Sequence, residues 1–172
     1  MIRLDRHPLA DAFERTPRTI RVFCEDDILV VDVVPAVLSS KPTLADVSDP
    51  LFRLYAGSRE IVQSDRVLRL RFDWVCGHIV VGEDHPHPAS WSKSVYDAQK
   101  MDRSSWPLMI VAGSPWRSAL PDYRGGENDE IKHFVIGSEI IVVDVLAALS
   151  SSTWLPNTAT TMNGWQEDIG DH

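Results

Sequence analysis

The sequence predicts an α+β fold that is predominantly antiparallel β-structure, arranged as a sandwich or an open barrel, with two or three short helices at its margins. Three observations predict it: a β-hairpin pattern near each end of the chain, an alternating strand between them, and helical patterns of no more than about ten residues. The 172 residues suit one domain, which we place at 1–157, followed by a loose tail at 158–172.

Two segments with nearly the same pattern, 20–40 and 132–152, predict the hairpins. In each, an apolar strand is followed by a short polar turn and a second strand rich in valine. When the two segments are aligned at a spacing of 112 residues, their second strands and exits share eight identical residues. In the first segment these are Ile28, Val30, Val31, Asp32, Val33, Ala36, Ser39 and Ser40. We expect either a duplicated unit or two similar hairpins in one sheet.

The middle of the chain predicts two more strands. Over Arg66–Val81, large apolar residues alternate with charged ones, which is the period of a strand with one face on a core. Gly77 interrupts the alternation, so we expect a hairpin or a β-bulge near Cys76 and Gly77. Leu108–Ala112 is a short apolar run that ends at Gly113, and it predicts a further strand.

Three short helices are predicted from capping residues and periodicity. Asp49 and Pro50 are typical of a helix start, and Gly57 of its end. An i, i+4, i+7 apolar stripe that begins at Trp91 predicts a helix of about ten residues. A further turn or two is expected after His7.

Charge limits the class of partner. The net charge is −8, and the stretch from Asp122 to the end supplies −7 of it. Duplex nucleic acid requires clustered Lys and Arg, so we expect no nucleic-acid partner. A protein or small-molecule partner fits the composition, and so does a homodimer.

The hydropathy pattern predicts a cytoplasmic protein without a membrane partner. No apolar run approaches the ~20 residues that cross a bilayer, and the charged N-terminal residues lack the apolar core of a secretory signal. Cys24 and Cys76 lie in apolar stretches, so we expect free, buried thiols rather than a disulfide.

Asp32 and Asp144 are candidate catalytic residues because they hold corresponding positions in the two valine-rich strands. One interpretation is that they meet as paired carboxylates that divide acid and base roles, since like charges at one site resist ionising together. The other is that each faces solvent and protects a strand from aggregation.

The candidate binding residues are two arginines and two tryptophans. Arg69 and Arg71 share the polar face of one strand, where they either hold a carboxylate or phosphate or pair with the acidic C-terminal third. Trp106 and Trp116 flank the strand Leu108–Ala112, where they either stack on a ligand or anchor a partner, or simply close the mouth of a small β-structure. Trp74, in contrast, is expected in the core.

A histidine cluster is the candidate metal site. His85 and His87 would share a face of an extended chain, and Asp84 could complete a divalent-metal site with them. The alternative is that these residues form a polar turn between a strand and a helix. No P-loop, GxGxxG or CxxC pattern is present, so we expect no cofactor apart from a divalent metal at this cluster.

These observations predict a non-catalytic binding or interaction domain, for example an acidic partner protein of the immunity or antitoxin kind. The absence of a nucleophile motif and the acidic C-terminal third favour it. The alternative is a small metal-dependent enzyme that uses His85 and His87.

Overall fold

A computed structural model describes residues 2–42, 59–82, 107–120 and 131–158. Within these ranges the chain forms nine strands, a 3-10 helix and one short α-helix. In chain order they are β1 (Arg3–Arg6), the 3-10 helix (Pro8–Ala12), β2 (Thr19–Glu25), β3 (Ile28–Val34), β4 (Ala36–Pro42), β5 (Arg59–Gln63), β6 (Arg66–Gly82), β7 (Leu108–Ala112), α1 (Pro115–Ala119), β8 (Ile131–Gly137) and β9 (Ile141–Pro156).

The predicted fold class is confirmed, because the described chain is mostly antiparallel sheet with little helix. Seven strands form one sheet in the order β1-β7-β8-β9-β6-β3-β2, and β4 and β5 form a separate two-stranded sheet. Every pairing is antiparallel. The 3-10 helix follows His7 as expected, and the helices predicted at 49–57 and from Trp91 lie outside the described residues.

Both predicted hairpins form, and they lie on either side of the long strand β6. β2 pairs with β3, β8 pairs with β9, and both β3 and β9 pair with β6. Their exits differ because Pro35 corresponds to Ala147. Pro35 lacks a backbone N–H, so β3 ends at Val34 and the chain enters the second sheet. Ala147 keeps its N–H, and β9 continues to Pro156.

The interruption predicted near Gly77 is a bulge within one continuous strand, not a hairpin. The register between β6 and β9 shifts between Asp73 and Gly77, and again between Arg71 and Phe72. Trp74, inside the first irregularity, has a φ of 56°. A bulge of this kind sharpens the local bend of a strand.

The large sheet curls toward an open barrel. The backbone N–H of Glu139, between β8 and β9, donates to the carbonyl of Pro17 before β2, at 3.0 Å. β8 and β2 lie four strands apart in the sheet, so this hydrogen bond between the segments beside them indicates a curved sheet.

The main core fills the concave side of this sheet. Its largest members are Leu29, Leu68, Leu70, Phe72 and Phe134. A smaller cluster, formed by Leu4, Met109, Val111 and Val135, covers the other face near β1 and β7.

The predictions for the cysteines, for a membrane span and for the C-terminal tail have different outcomes. Cys24 and Cys76 are free, but both are exposed rather than buried. Among the described residues no helix is long and apolar enough to cross a bilayer. The predicted tail, from residue 159 on, lies outside the described residues.

Candidate functional site: a cleft beside two strand irregularities

A cleft of about 520 Å³ opens where β6, β8 and β9 lie side by side. Its lining comprises His7, Asp73, Trp74, Lys132, Phe134, Ala148, Leu149 and Ser150. Both β6 and β9 are irregular here: the bulge of β6 follows Asp73 and begins at Trp74, and Ser150 is the extra residue of β9 opposite Arg71 and Phe72. Bulges commonly re-aim side chains next to functional sites. The volume lies within the range of small-molecule sites.

Trp74 is the most unusual residue of the cleft. It is 49% exposed, although the alternation of β6 predicted that it lies in the core. Its φ of 56° is in the left-handed region, which costs a residue with a Cβ about 1–2 kcal/mol. A large aromatic residue that is both strained and half exposed is poorly explained by stability. Conformational outliers cluster at functional sites, so Trp74 is a candidate binding residue.

His7 contributes a ring whose tautomer is fixed by a local hydrogen bond. It is the N-cap of the 3-10 helix, and its Nδ1 accepts the backbone N–H of Leu9 at 3.1 Å. Its ring packs against Phe134, with centroids 6.0 Å apart. Burial, and to a lesser extent the positive charge of Lys132, lowers the pKa of His7. The neutral ring, with its proton on Nε2, is therefore the form that persists at neutral pH.

One positively charged side chain at the cleft, Lys132, has no acidic partner among the described residues. The Nε of Arg71 lies 3.2 Å from Oδ1 of Asp73, so these two charges offset each other. Among the described residues, no ion pair involves Lys132. Among the described residues at the cleft, the lining side chains Lys132 and Asp73 and the neighbouring Arg71 together carry a net positive charge, in a protein whose total charge is −8.

A second cleft, of about 650 Å³, lies between the segment before β2 and the two-stranded sheet of β4 and β5. It is lined by apolar side chains, among them Leu38 and Ile61, and by charges of both signs, including Arg15 and Glu139. In the described part of the chain it contains no residue with a left-handed φ.

A buried polar network lies on the other side of the sheet. The Ser114 hydroxyl is 2.8 Å from Nδ1 of His133, and Nε2 of His133 is 2.9 Å from Oδ1 of Asp144. Because a carboxylate only accepts, Nε2 of a neutral His133 carries the proton and Nδ1 accepts from Ser114. Trp116 stacks flat on His133, with centroids 4.9 Å apart and planes 5° apart.

This chain of Ser, His and Asp has the order of a hydrolase triad, but its surroundings indicate a structural role. Ser114 is 2% exposed, and its Oγ also caps α1 by accepting the N–H of Arg117 at 3.3 Å. In hydrolase triads the serine bonds to Nε2 and the aspartate to Nδ1, whereas here the two ring nitrogens are exchanged. The network fastens α1 and Trp116 to the sheet.

The structure does not bring Asp32 and Asp144 together, and it exposes neither. Both are buried, with exposures of 3% and 1%, so neither faces solvent as one interpretation proposed. Arg69 lies opposite both Asp32 and Thr153, and Thr153 is nine residues after Asp144 on β9. That separation is roughly 30 Å of extended strand. Each carboxylate has its own partner.

The other predicted site residues are engaged within the fold or lie outside the described ranges. Arg69 binds Asp32 through two hydrogen bonds, of 2.7 and 2.8 Å, and Arg71 pairs with Asp73. Trp116 is half-buried against His133. Trp106, Asp84, His85 and His87 fall outside the described residues. Within the described ranges, no group of three His, Cys, Asp or Glu residues could hold a metal ion.

Sequence reasoning missed the cleft because its lining comes from distant segments. His7, Lys132 and Ser150 have no shared motif, and they are brought together by the pairing of β7, β8 and β9 and by the hydrogen bond from the backbone N–H of His7 to the carbonyl of Leu108. One signal was available, since Gly77 predicted a hairpin or a bulge near Cys76 and Gly77, close to Trp74. That signal did not show whether Trp74 would lie in the core or in the cleft.

Comparison with known proteins finds no family model, no curated protein and no solved structure that matches this chain.

Proposed function

We propose that this chain is a non-catalytic binding domain and that its ligand is a small molecule held in the cleft beside Trp74. The exposed and strained Trp74 carries this proposal, because that conformation lowers stability and needs a compensating use. The concave shape and the volume of about 520 Å³ favour a small molecule over a flat protein surface.

The two functions predicted from other segments depend on residues outside the described ranges. The immunity-like or antitoxin-like partner depends on the acidic C-terminal third, whose acids fall mainly in 121–130 and 159–172. The metal-dependent enzyme depends on His85 and His87. The cleft, in contrast, is lined by described residues of β6, β8 and β9 and by His7.

A fragment screen by two-dimensional NMR on the full chain tests the proposal. We expect the compounds that bind to shift the backbone amides of His7, Trp74 and Lys132. Shifts that cluster instead at Leu38 and Ile61 in the second cleft, or no binding compound in a diverse library, would contradict it.

A pair of matched variants sharpens this test. Trp74 and Phe23 are each 49% exposed, but only Trp74 lines the cleft. Trp74→Ala should abolish the shifts produced by the binding compounds, whereas Phe23→Ala should leave them unchanged. Equal losses in the two variants would show that Trp74 has no special role.

A further inference from the structure

We propose that the ligand of the cleft is an aromatic anion, a flat ring that carries a carboxylate or a phosphate. This inference rests on the proposed function, because it assigns a chemical class to the ligand of the same cleft. It combines the net positive charge, the available hydrogen-bond donor and the aromatic wall of the cleft.

The anion is indicated by Lys132. Lys132 lines the cleft and has no ion pair among the described residues, while the neighbouring Asp73 is already paired with Arg71. A carboxylate or phosphate is the group that offsets such a charge. A cationic ligand would meet an uncompensated like charge instead.

His7 adds a neutral donor at the same place. Because Nδ1 of His7 accepts the N–H of Leu9, its remaining proton is on Nε2. An Nε2–H group donates to a carboxylate or phosphate oxygen, and it does so without an added positive charge. Lys132 and His7 are close enough for the charge of Lys132 to lower the pKa of His7. One anionic group can therefore lie near both.

The flat ring is indicated by the aromatic wall. Trp74 on β6 lines the cleft and is half exposed, and the buried Phe134 on β8 forms part of the same lining, with β9 between the two strands. Indole faces stack favourably on other π-systems. The volume of about 520 Å³ accepts a ligand of one or two fused rings with its anionic group.

A matched set of ligands tests the charge requirement on the full chain. 2-Naphthoate and 2-naphthamide have nearly the same shape, and only the first is charged. We expect 2-naphthoate or 2-naphthyl phosphate to bind about ten-fold or more tightly than 2-naphthamide, as measured by NMR titration, because hydrogen bonds to a charged group are the stronger ones. The tighter of the two anions identifies the acid group preferred by the cleft.

Two variants locate the charge effect. Lys132→Met keeps most of the aliphatic stem, so it should remove the preference for 2-naphthoate and leave the affinity for 2-naphthamide unchanged. Arg15→Met removes the same charge from the second cleft and should preserve the preference.

The outcomes separate this inference from the proposed function. Equal affinities for 2-naphthoate and 2-naphthamide, with shifts at Trp74 and Lys132, would overturn the anion and leave the cleft as the binding site. Shifts confined to the second cleft would overturn both. Loss of the preference in both Lys132→Met and Arg15→Met would assign it to net charge and would also overturn the inference.

Discussion

Asp32 and Asp144 occupy corresponding positions in two similar strands, yet they are held by different partners. Arg69 binds Asp32 with two parallel hydrogen bonds, while His133 donates a single hydrogen bond to Asp144. The difference follows from the register, since Asp32 lies opposite Arg69 on β6 and Asp144 lies opposite Ile79. The same residue in the same local pattern is thus hydrogen-bonded by whatever the neighbouring strand supplies.

The ion pair of Arg69 and Asp32 should contribute measurably to stability. Asp32 is buried, so Arg69→Ala leaves a carboxylate poorly compensated and should lower the free energy of unfolding by about 1–3 kcal/mol. Because Arg69 is partly exposed, we expect the loss in the free energy of unfolding to lie near the lower end of that range. Urea denaturation measures it. Arg71→Ala is the control, because its pair with Asp73 is exposed at both ends and should change stability by less than about 0.5 kcal/mol.

The Ser114 network should act on stability and not on catalysis. Ser114→Ala removes the cap of α1 and the donor to His133, so we expect a loss of about 1–3 kcal/mol in the free energy of unfolding. Ser118→Ala removes a hydrogen bond from an exposed hydroxyl and should cost less. A fluorophosphonate probe should not label the native protein. Labelling at Ser114 would show an accessible nucleophile and contradict the structural role.

His7 should make stability depend on pH. Its pKa in the folded protein is lower than the ordinary value of 6.5, because of burial and then Lys132, while Asp73 also faces the cleft. Above pH 6.5 the ring is neutral in both states, and its contribution is fully present. As the pH falls below 6.5 the unfolded chain takes up the proton first, so stability falls. His7→Asn keeps a capping acceptor and should flatten this part of the profile measured by thermal unfolding.

Much of the fold could be predicted from the sequence because its signals are local. The alternation over Arg66–Val81, the two valine-rich hairpins and the short strand before Gly113 each depend on residues close together in the chain, and each forms where predicted. Although Ser39 and Ser40 match Ser151 and Ser152, the chain does not continue in the same way after the two valine-rich strands begin. Pro35 ends one strand and Ala147 allows the other to continue.

The cleft could not be predicted because it depends on long-range geometry. Trp74 follows the core alternation of Leu68, Leu70 and Phe72, and only the bulge takes it out of that pattern. His133 and Ser114 gave no motif, because their hydrogen bond joins residues on β8 and at the start of α1. A single sequence does not show which charged residues meet when a sheet curls.

The strain at Trp74 can be measured apart from the loss of its ring. Trp74→Gly and Trp74→Ala both remove the indole, but only Gly adopts a φ of 56° freely. We expect the Gly variant to be more stable than the Ala variant by about 1 kcal/mol in urea denaturation. In a strand without strain the order is the reverse, so an Ala variant of higher stability would show that Trp74 is not strained.

The most direct test of the cleft compares two variants that relieve the same kind of strain. Asp26, in the turn between β2 and β3, also has a left-handed φ, of 52°, but it does not line the cleft. The measurement is the dissociation constant of 2-naphthoate for Trp74→Gly and for Asp26→Gly, by NMR titration of the full chain. We predict an affinity at least about ten-fold weaker for Trp74→Gly and unchanged for Asp26→Gly, because only the first removes a stacking surface. An unchanged affinity in Trp74→Gly would contradict the assignment of the cleft as the binding site.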